Sequence, residues 1–124
     1  MSEEIHKIEE ISSLRKRADF LLLGKSGNKW VSQSLIIQAR PNELGFTRVG
    51  FTVSKRVDKS AVQRNRIKRR LRAVVADVLR DYARPSCDYV LIGRRETALR
   101  PYDVLCKDLK WCLRKMDYAQ KSRK

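Results

Sequence analysis

The densest group of chemically active side chains in this 124-residue chain is the segment 55–72, which holds nine lysines and arginines. A guanidinium group presents a planar fork that matches phosphate oxygens, and an ammonium group supplies a point charge. The segment therefore predicts contacts with a polyanion. The expected phosphate-contacting platform consists of Arg64, Arg66, Lys68, Arg69, Arg70 and Arg72. Asn65 lies among them, and its amide could bond a base edge or a ribose, or brace a neighbouring loop.

A second group of basic residues surrounds an aromatic side chain at positions 15–20. Phe20 follows Arg15, Lys16 and Arg17, and an aromatic ring among cations can stack on an unpaired base. Phe20 could equally belong to the core. Downstream, the segment 47–54 alternates, and one of its faces carries small or polar side chains, namely Arg48, Gly50, Thr52 and Ser54. Small side chains beside an aromatic can form a groove for single-stranded RNA.

The sequence contains no recognisable catalytic motif of its own. A protein nuclease requires positioned acids, histidines or a carboxylate cluster that binds metal, but the one histidine, His6, lies in a predicted tail. Asp77 and Asp81 could share a cation, although a solvated helix face is the simpler interpretation. Cys87, Cys106 and Cys112 have no familiar zinc-ligand spacing, so free thiols are expected and no protein metal site is assigned.

Composition favours nucleic acid over other partners. Lysine and arginine number 29 against 14 acidic residues, which gives a formal net charge of +15. The sequence has no apolar run of membrane-spanning length and no signal-peptide core, so we expect a cytoplasmic protein without a membrane partner. A DNA-binding role is disfavoured because no dimer seam is visible and the basic helix is tied to a core.

Periodicity predicts the elements that position these groups. The helix following Ser60 has an apolar stripe that includes Ile67, Leu71 and Val74, and Ser60 with Gln63 fits a capping box. The other expected elements are a helix at 13–23, strands at 31–39, 47–54 and 88–93, a connection at 94–100, and a last helix from Pro101 or Tyr102.

These elements predict one domain at 13–119, with a disordered tail at 1–12 and a basic tail at 120–124. Two or three strands are expected between the first helix and the basic helix. With three of them, the expected fold is an α+β two-layer sandwich of a four-stranded sheet and three helices, in the order α-β-β-β-α-β-α. If the strands that flank the basic helix are parallel neighbours, the helix is their crossover. General stereochemistry favours a right-handed crossover.

Two motifs give the chain a resemblance to a known family. The sequences VGFTVSKRV at 49–57 and RNRIKRRLR at 64–72 resemble the signature of the bacterial ribonuclease P protein subunit. LRKRADF at 14–20 is similar to the first-helix pattern of that family, and DYVLIGR at 88–94 is similar to its last strand. The chain departs from the family pattern at Gly24 and Gln38, where aromatics are common, and at Asp58, near which the family commonly has a glycine.

The resemblance implies a left-handed crossover and a non-catalytic subunit that binds a large catalytic RNA, one protein per RNA. That RNA would remove the 5′ leader of precursor tRNA and would bind most of the Mg2+. The resemblance implies that the catalytic RNA is contacted by Lys55, Arg56, Arg64, Asn65, Arg66, Lys68, Arg69 and Arg72. It implies that the single-stranded leader is contacted by Lys16, Arg17, Phe20, Arg48, Thr52 and Ser54. The alternative is a general basic RNA-binding or ribosome-associated protein.

Overall fold

The described part of the chain folds as a mixed five-stranded sheet with helices on both faces. The computed structural model describes residues 11–120. The strands are β1 (Ile11–Ser13), β2 (Asn28–Val31), β3 (Leu35–Pro41), β4 (Thr47–Thr52) and β5 (Cys87–Gly93). The helices are α1 (Arg17–Ser26), α2 (Ala61–Val74), α3 (Arg80–Tyr82), α4 (Arg95–Leu99) and α5 (Tyr102–Lys115). A π-helical segment, Val75–Leu79, joins α2 to α3.

The strands lie in the order β1-β4-β5-β3-β2. The pairs β1–β4 and β4–β5 are parallel, and the pairs β5–β3 and β3–β2 are antiparallel. This arrangement confirms the predicted α+β class. The sheet has five strands instead of the predicted four, and α4 is a short helix where a polar connection was expected.

The additional strand is β1, which pairs with β4 at one edge of the sheet. The predicted tail at 1–12 is therefore wrong for Ile11 and Ser12, which pair with Thr47 and Arg48. The rest of that tail, residues 1–10, lies outside the described residues, as do residues 121–124 of the predicted C-terminal tail. Since β1 occupies 11–13, α1 begins four residues later than predicted, and no side chain caps its N-terminus at Lys16.

The segment predicted as one strand at 31–39 belongs to a β-hairpin. The β2 strand ends at Val31, and a tight turn leads into β3 at Leu35. Ser32 stabilises this turn because its Oγ donates to the Leu35 carbonyl (2.7 Å) and accepts from the Leu35 N–H (3.1 Å). This side-chain bonding to the local backbone is the mechanism by which serine favours turns.

The basic helix α2 begins and docks as predicted. Ser60 Oγ accepts a hydrogen bond from the Gln63 N–H at 3.2 Å, which satisfies one of the free donors of the first turn. Ile67, Leu71 and Val74 are buried against the sheet. The helical chain continues to Tyr82, within the predicted end at 82–84.

The β4-α2-β5 connection is a left-handed crossover. The Asn42 N–H donates to the Ser86 carbonyl, so residues 42 and 86 form a hydrogen-bonded pair just beyond the ends of β3 and β5. Because such pairs recur at every second residue of an antiparallel ladder, the backbone N–H and C=O of Val90 also point toward β3. The Val90 side chain lies on the α1 face. When the side chain of an L-residue points toward the viewer and its strand points up, the backbone N–H and C=O of that residue point to the right. Viewed from the α1 face, β3 therefore lies to the right of β5, and β4 lies to its left. Ile67 of α2 packs on the opposite face of the sheet, at Gly93. Viewed from this α2 face, β5 lies to the left of β4, so the connection from β4 through α2 to β5 is left-handed. The right-handed default is wrong here.

The sheet separates two cores of unequal size. The main core lies between the sheet and α2 with α5, and its fully buried members include Leu71, Tyr89, Leu91 and Leu109. The smaller core consists of Leu14, Leu23 and Val90, with Phe20 and Ile92 packed against it on the α1 face. Within residues 11–120, no helix has the length and apolarity required to cross a membrane.

Candidate nucleic-acid interface

The outer face of α2 presents a row of exposed polar and cationic groups. Asn65, Arg66, Arg69 and Arg72 are exposed, and Lys68 is half-buried at the edge of the same face. Because Ile67 and Leu71 anchor the opposite side in the core, the backbone beneath these side chains is held in one position. The expected cationic platform is thus a rigid surface, which costs less conformational entropy on binding than a mobile tail.

Arg64 has a structural role in addition to its charge. Its Nη1 donates to the carbonyls of Asp58 (2.9 Å) and Lys59 (2.8 Å), so it holds the β4–α2 loop against the first turn of the helix. Loop bracing was one of the two options predicted for Asn65, yet Arg64 performs it while Asn65 is exposed. Asn65 therefore remains available to a partner.

Two further arginines of the platform have partners within the protein. Arg70 Nη1 donates to the carbonyls of Thr97 (2.8 Å) and Ala98 (3.2 Å), which ties α2 to the end of α4. The Arg72 guanidinium lies 5.4 Å from the centroid of the Phe51 ring, which is a cation–π contact. Among the described residues of the platform, Arg66 and Arg69 are the exposed arginines without such an internal contact, and the exposed Asn65 lies beside them.

The loop after β4 extends the cationic surface beyond the start of α2. Lys55 and Arg56 are both exposed. A groove of about 650 Å³ separates this loop from α4, and its lining includes Lys55, Arg56, Lys59, Arg95 and Leu99. The sequence analysis placed Arg95 in a polar connection and did not predict it as a site residue. The α4 helix that brings Arg95 to this groove has only five residues, which is too short to show a recognisable hydrophobic pattern.

The expected leader site, here called the α1 cleft, is the surface beside Phe20 where α1 packs over β4 on the other face of the sheet. Phe20 packs on β4 at Gly50, where an added Cβ would lie 2.5 Å from the ring Cζ. The ring also packs against the small core and stays half-buried. Phe20 thus packs against the small core, and its stacking on an unpaired base stays a prediction. Lys16 and Arg17, at the start of α1, are exposed.

Arg48 is committed to two carboxylates. Its Nε and Nη2 donate to Asp88 at 2.9 and 2.7 Å, and its Nη1 donates to Asp19 of α1 at 3.2 Å. Asn42 Nδ2 also donates to Asp88 at 2.8 Å. Burial alone would raise the pKa of the Asp88 carboxyl, but the hydrogen bonds from Arg48 and Asn42 outweigh it and lower the pKa. Arg48 therefore ties α1 to the sheet, and its predicted contact with the leader stays a prediction.

The open end of the cleft is a groove of about 340 Å³ at the ends of β3, β4 and β5. Ser54 and Arg56 line one side, Ile36 and Ile92 form the floor, and Arg94 and Arg95 complete the rim. Thr52 lies half-buried on the same face. Arg94 was missed as a site residue, although its position directly after the predicted strand 88–93 was a usable signal.

The described residues offer no evident metal site. Within residues 11–120, no three His, Cys, Asp or Glu side chains lie close enough to hold an ion together. The three cysteines are free thiols, as predicted. Burial raises the pKa of the Cys112 thiol to about 11 and also raises that of Cys87, so both are poor nucleophiles and poor metal ligands.

Comparison with known proteins assigns this architecture to a family. The family model described as Ribonuclease P matches residues 9–117. The ribonuclease P protein component of Paramagnetospirillum magneticum is 45% identical over 117 residues, covering 90% of this chain and 87% of that protein. That of Ruegeria pomeroyi is 50% identical over 110 residues, covering 86% of each chain.

Solved structures share the fold. The structure of the Staphylococcus aureus RNase P protein aligns with a TM-score of 0.73 at 23% identity, covering 90% of this chain and all of that one. The RNase P protein of Thermotoga maritima, in complex with 1-(4-fluorophenyl)-2-thiourea, aligns with a TM-score of 0.68 at 25% identity. That alignment covers 83% of this chain and 95% of the other.

Proposed function

Because this chain belongs to the ribonuclease P protein family, we propose that its two faces bind two different RNAs. The chain is the protein component of ribonuclease P, the ribonucleoprotein endoribonuclease, and its partner is the ribonuclease P RNA. The general RNA-binding alternative is not favoured. In our proposal, the α2 face binds this RNA and the α1 cleft binds the single-stranded leader of precursor tRNA.

The rigid exposed face of α2 is the observation that carries the first assignment. Asn65, Arg66 and Arg69 project from a helix whose opposite side is buried. Lys55 and Arg56 continue the surface, while Arg64 holds the loop that presents them. A folded RNA offers phosphates at regular spacing, and a helix with fixed cations can match several of them together.

The shape of the α1 cleft supports the second assignment. Single-stranded RNA exposes its bases, which are read by aromatic stacking and by contacts to the backbone. The half-buried edge of Phe20 supplies an aromatic surface, and Lys16, Arg17 and Arg56 supply charge at its margins. Thr52 and Ser54 leave space between them because their side chains are small. Arg48 contributes indirectly, by holding α1 at its distance from the sheet.

The hydrolysis is assigned to the RNA subunit. Between residues 11 and 120, no three His, Cys, Asp or Glu side chains lie close enough to hold an ion together. Mg2+, which the family resemblance implies, would be held mainly by RNA oxygens. The protein would strengthen substrate binding and lower the Mg2+ concentration that the RNA requires. One protein per catalytic RNA and a cytoplasmic location complete the proposal.

Cleavage of precursor tRNA at low Mg2+, with the matching ribonuclease P RNA and with or without this protein, tests the proposal. We expect cleavage at the mature 5′ end to require both components. We expect Phe20→Ala to reduce the preference for leader-bearing over mature tRNA, with unchanged affinity for the catalytic RNA. If a folded Phe20→Ala protein kept that preference in full, or lost catalytic-RNA affinity equally, the cleft assignment would be wrong.

A further inference from the structure

A separate groove of about 580 Å³ lies where the β2–β3 turn meets α5. Val31, Ser32 and Gln33 line it from the hairpin, and Lys107, Trp111 and Arg114 line it from the helix. The three helix residues are spaced at i, i+4 and i+7, so they form one stripe on the outer surface of α5. The catalytic-RNA and leader assignments above do not use this groove.

Exposed aromatic side chains border this groove. Trp30 and Trp111 meet edge to face with ring centroids 6.2 Å apart and an interplanar angle of 67°. Each retains 37% of its surface exposed, and the adjacent Val31 retains 46%. Tryptophan rings held by a partner ring present a rigid surface on which a nucleobase can stack. An exposed apolar patch of this kind on a soluble protein commonly marks a binding site.

The charges around the groove favour an anionic occupant. Lys107, Lys110 and Arg114 supply three cations. Arg114 donates to Tyr82 Oη at 3.0 Å and Lys110 lies over the Tyr82 ring at 5.8 Å, while Lys107 is exposed. The one carboxylate in the lining, Asp108, accepts from Ser34 Oγ at 2.6 Å and from the Ser34 N–H at 3.3 Å. Its charge is thereby partly satisfied within the fold.

The groove and the open end of the α1 cleft lie on either side of the sheet edge at the β2–β3 hairpin. Val31, which lines the groove, is the direct register partner of Ile36, which lines the cleft. Arg94 of the cleft rim donates to the carbonyl of Ser32, a residue of the groove. A strand that leaves the cleft over Ile36 can therefore pass the sheet edge at Val31 and reach Trp111. An extended nucleic-acid strand needs no secondary structure of its own to follow this path.

We propose that the Trp111 groove binds the leader nucleotides that extend beyond the α1 cleft, with an unpaired base stacked on Trp111. This inference rests on the proposed leader-binding function and adds a second subsite to it. The combination of a stacking surface, cations and a position just around the sheet edge from the cleft favours single-stranded RNA over an acidic peptide. A second copy of the chain is disfavoured because each copy carries a formal net charge of +15.

The test compares precursor tRNAs with leaders of about 4 and about 16 nucleotides, the limits of typical single-strand site sizes. Binding to the holoenzyme is measured for the wild type and for Trp111→Ala, Trp111→Phe and Lys107→Ala. Lys115→Ala is the matched control, because it removes one exposed charge from the same helix outside the groove lining. We expect Trp111→Ala to abolish most of the additional affinity of the long leader, about 5-fold or more. Trp111→Phe should retain most of it, and Lys107→Ala should lose a smaller part.

Substrates with short and long leaders distinguish a failure of the groove assignment from a failure of the leader-binding function. If the short-leader substrate still binds better than mature tRNA but Trp111→Ala and Lys107→Ala do not change the length dependence, the groove assignment is overturned and the cleft assignment stands. Equal losses for both leader lengths would also overturn it, because the groove would then act on the fold or on the catalytic RNA. If the wild type did not distinguish leader-bearing from mature tRNA, the proposed leader function itself would fail.

Discussion

The arginines of α2 divide into those that bind within the protein and those that face outward. Arg64 and Arg70 donate to backbone carbonyls, and Arg72 lies over Phe51. Arg66 and Arg69 are exposed. The sequence predicted all of them as one phosphate platform, since spacing along a helix identifies a face but does not reveal which carbonyls lie within reach of each guanidinium.

Arg66→Ala is expected to weaken catalytic-RNA binding without loss of stability. Removing one phosphate contact should reduce the slope of log affinity against log salt by about 1. Arg64→Ala should also weaken binding, but it should lower the thermal midpoint as well, because the loop carbonyls lose their donor. Salt titrations of RNA binding together with thermal melts measure both effects. An unchanged affinity and salt slope for folded Arg66→Ala would remove Arg66 from the interface.

Asp88→Asn is expected to destabilise the protein in a pH-dependent manner. The Asp88 side chain is 6% exposed and is ion-paired with Arg48, so its loss should cost about 1–3 kcal/mol at neutral pH. Its folded-state pKa lies below the ordinary value of 3.8. The stabilisation from ionised Asp88 is thus complete above that value and disappears as pH falls through the lower, folded pKa.

Denaturant unfolding at a series of pH values measures this contribution. The difference in unfolding free energy between wild type and Asp88→Asn should be largest near neutral pH and should shrink below about pH 4. A constant difference across that range would show that the variant acts through packing instead of charge. The role of Arg48 was not predictable from sequence, because its partner Asp88 lies forty residues away and only the β4–β5 register brings them together.

Secondary-structure elements were predicted correctly where a hydrophobic pattern extended over many residues, and they were missed where the element was short. The α2 helix shows an apolar stripe over several turns, and β4 alternates cleanly, so both were located to within a few residues. The β1 strand has three residues and is defined only by its pairing with β4. The left hand of the crossover opposes the general preference and became apparent only through the family resemblance and the observed register.

Substitution by alanine should have opposite effects on protein stability at Gly24, within α1, and at Gly50, beneath it. Gly24 lies inside α1, and an added Cβ would meet nothing within 4 Å. Gly24→Ala should stabilise the protein by about 0.4–1 kcal/mol, since alanine favours the helix and restricts the unfolded chain. Gly50→Ala should destabilise it by about 1–3 kcal/mol, because the new Cβ would displace Phe20.

Thermal melts and leader discrimination together test this contrast. Gly24→Ala should leave the preference for leader-bearing tRNA unchanged, whereas Gly50→Ala should reduce it by moving the Phe20 ring. Equal stability of the two variants would mean that Phe20 is not packed against β4 as described. The departure from the family pattern at Gly24 thus leaves open space beside the cleft, while the glycine at position 50 is required for its geometry.

For the molecule as a whole, the sheet keeps the two proposed RNA surfaces apart. The α2 face and the α1 cleft lie on opposite sides of β4 and β5. The buried residues divide into a main core on the α2 side, which includes Tyr89 and Leu91, and a smaller core on the α1 side. This separation permits one small domain to hold a catalytic RNA on one side and a substrate strand on the other.

Arg66→Ala and Phe20→Ala should therefore act independently when combined. Each variant, and the double variant, is assayed for catalytic-RNA affinity and for preference for leader-bearing tRNA by the assembled holoenzyme. The double variant should show the sum of the two free-energy changes to within about 0.5 kcal/mol, as expected for distant sites that share no partners. A larger coupling would mean that the two residues contact one continuous RNA or that leader binding reshapes α2. Additivity would support a domain that joins two RNAs through a rigid sheet.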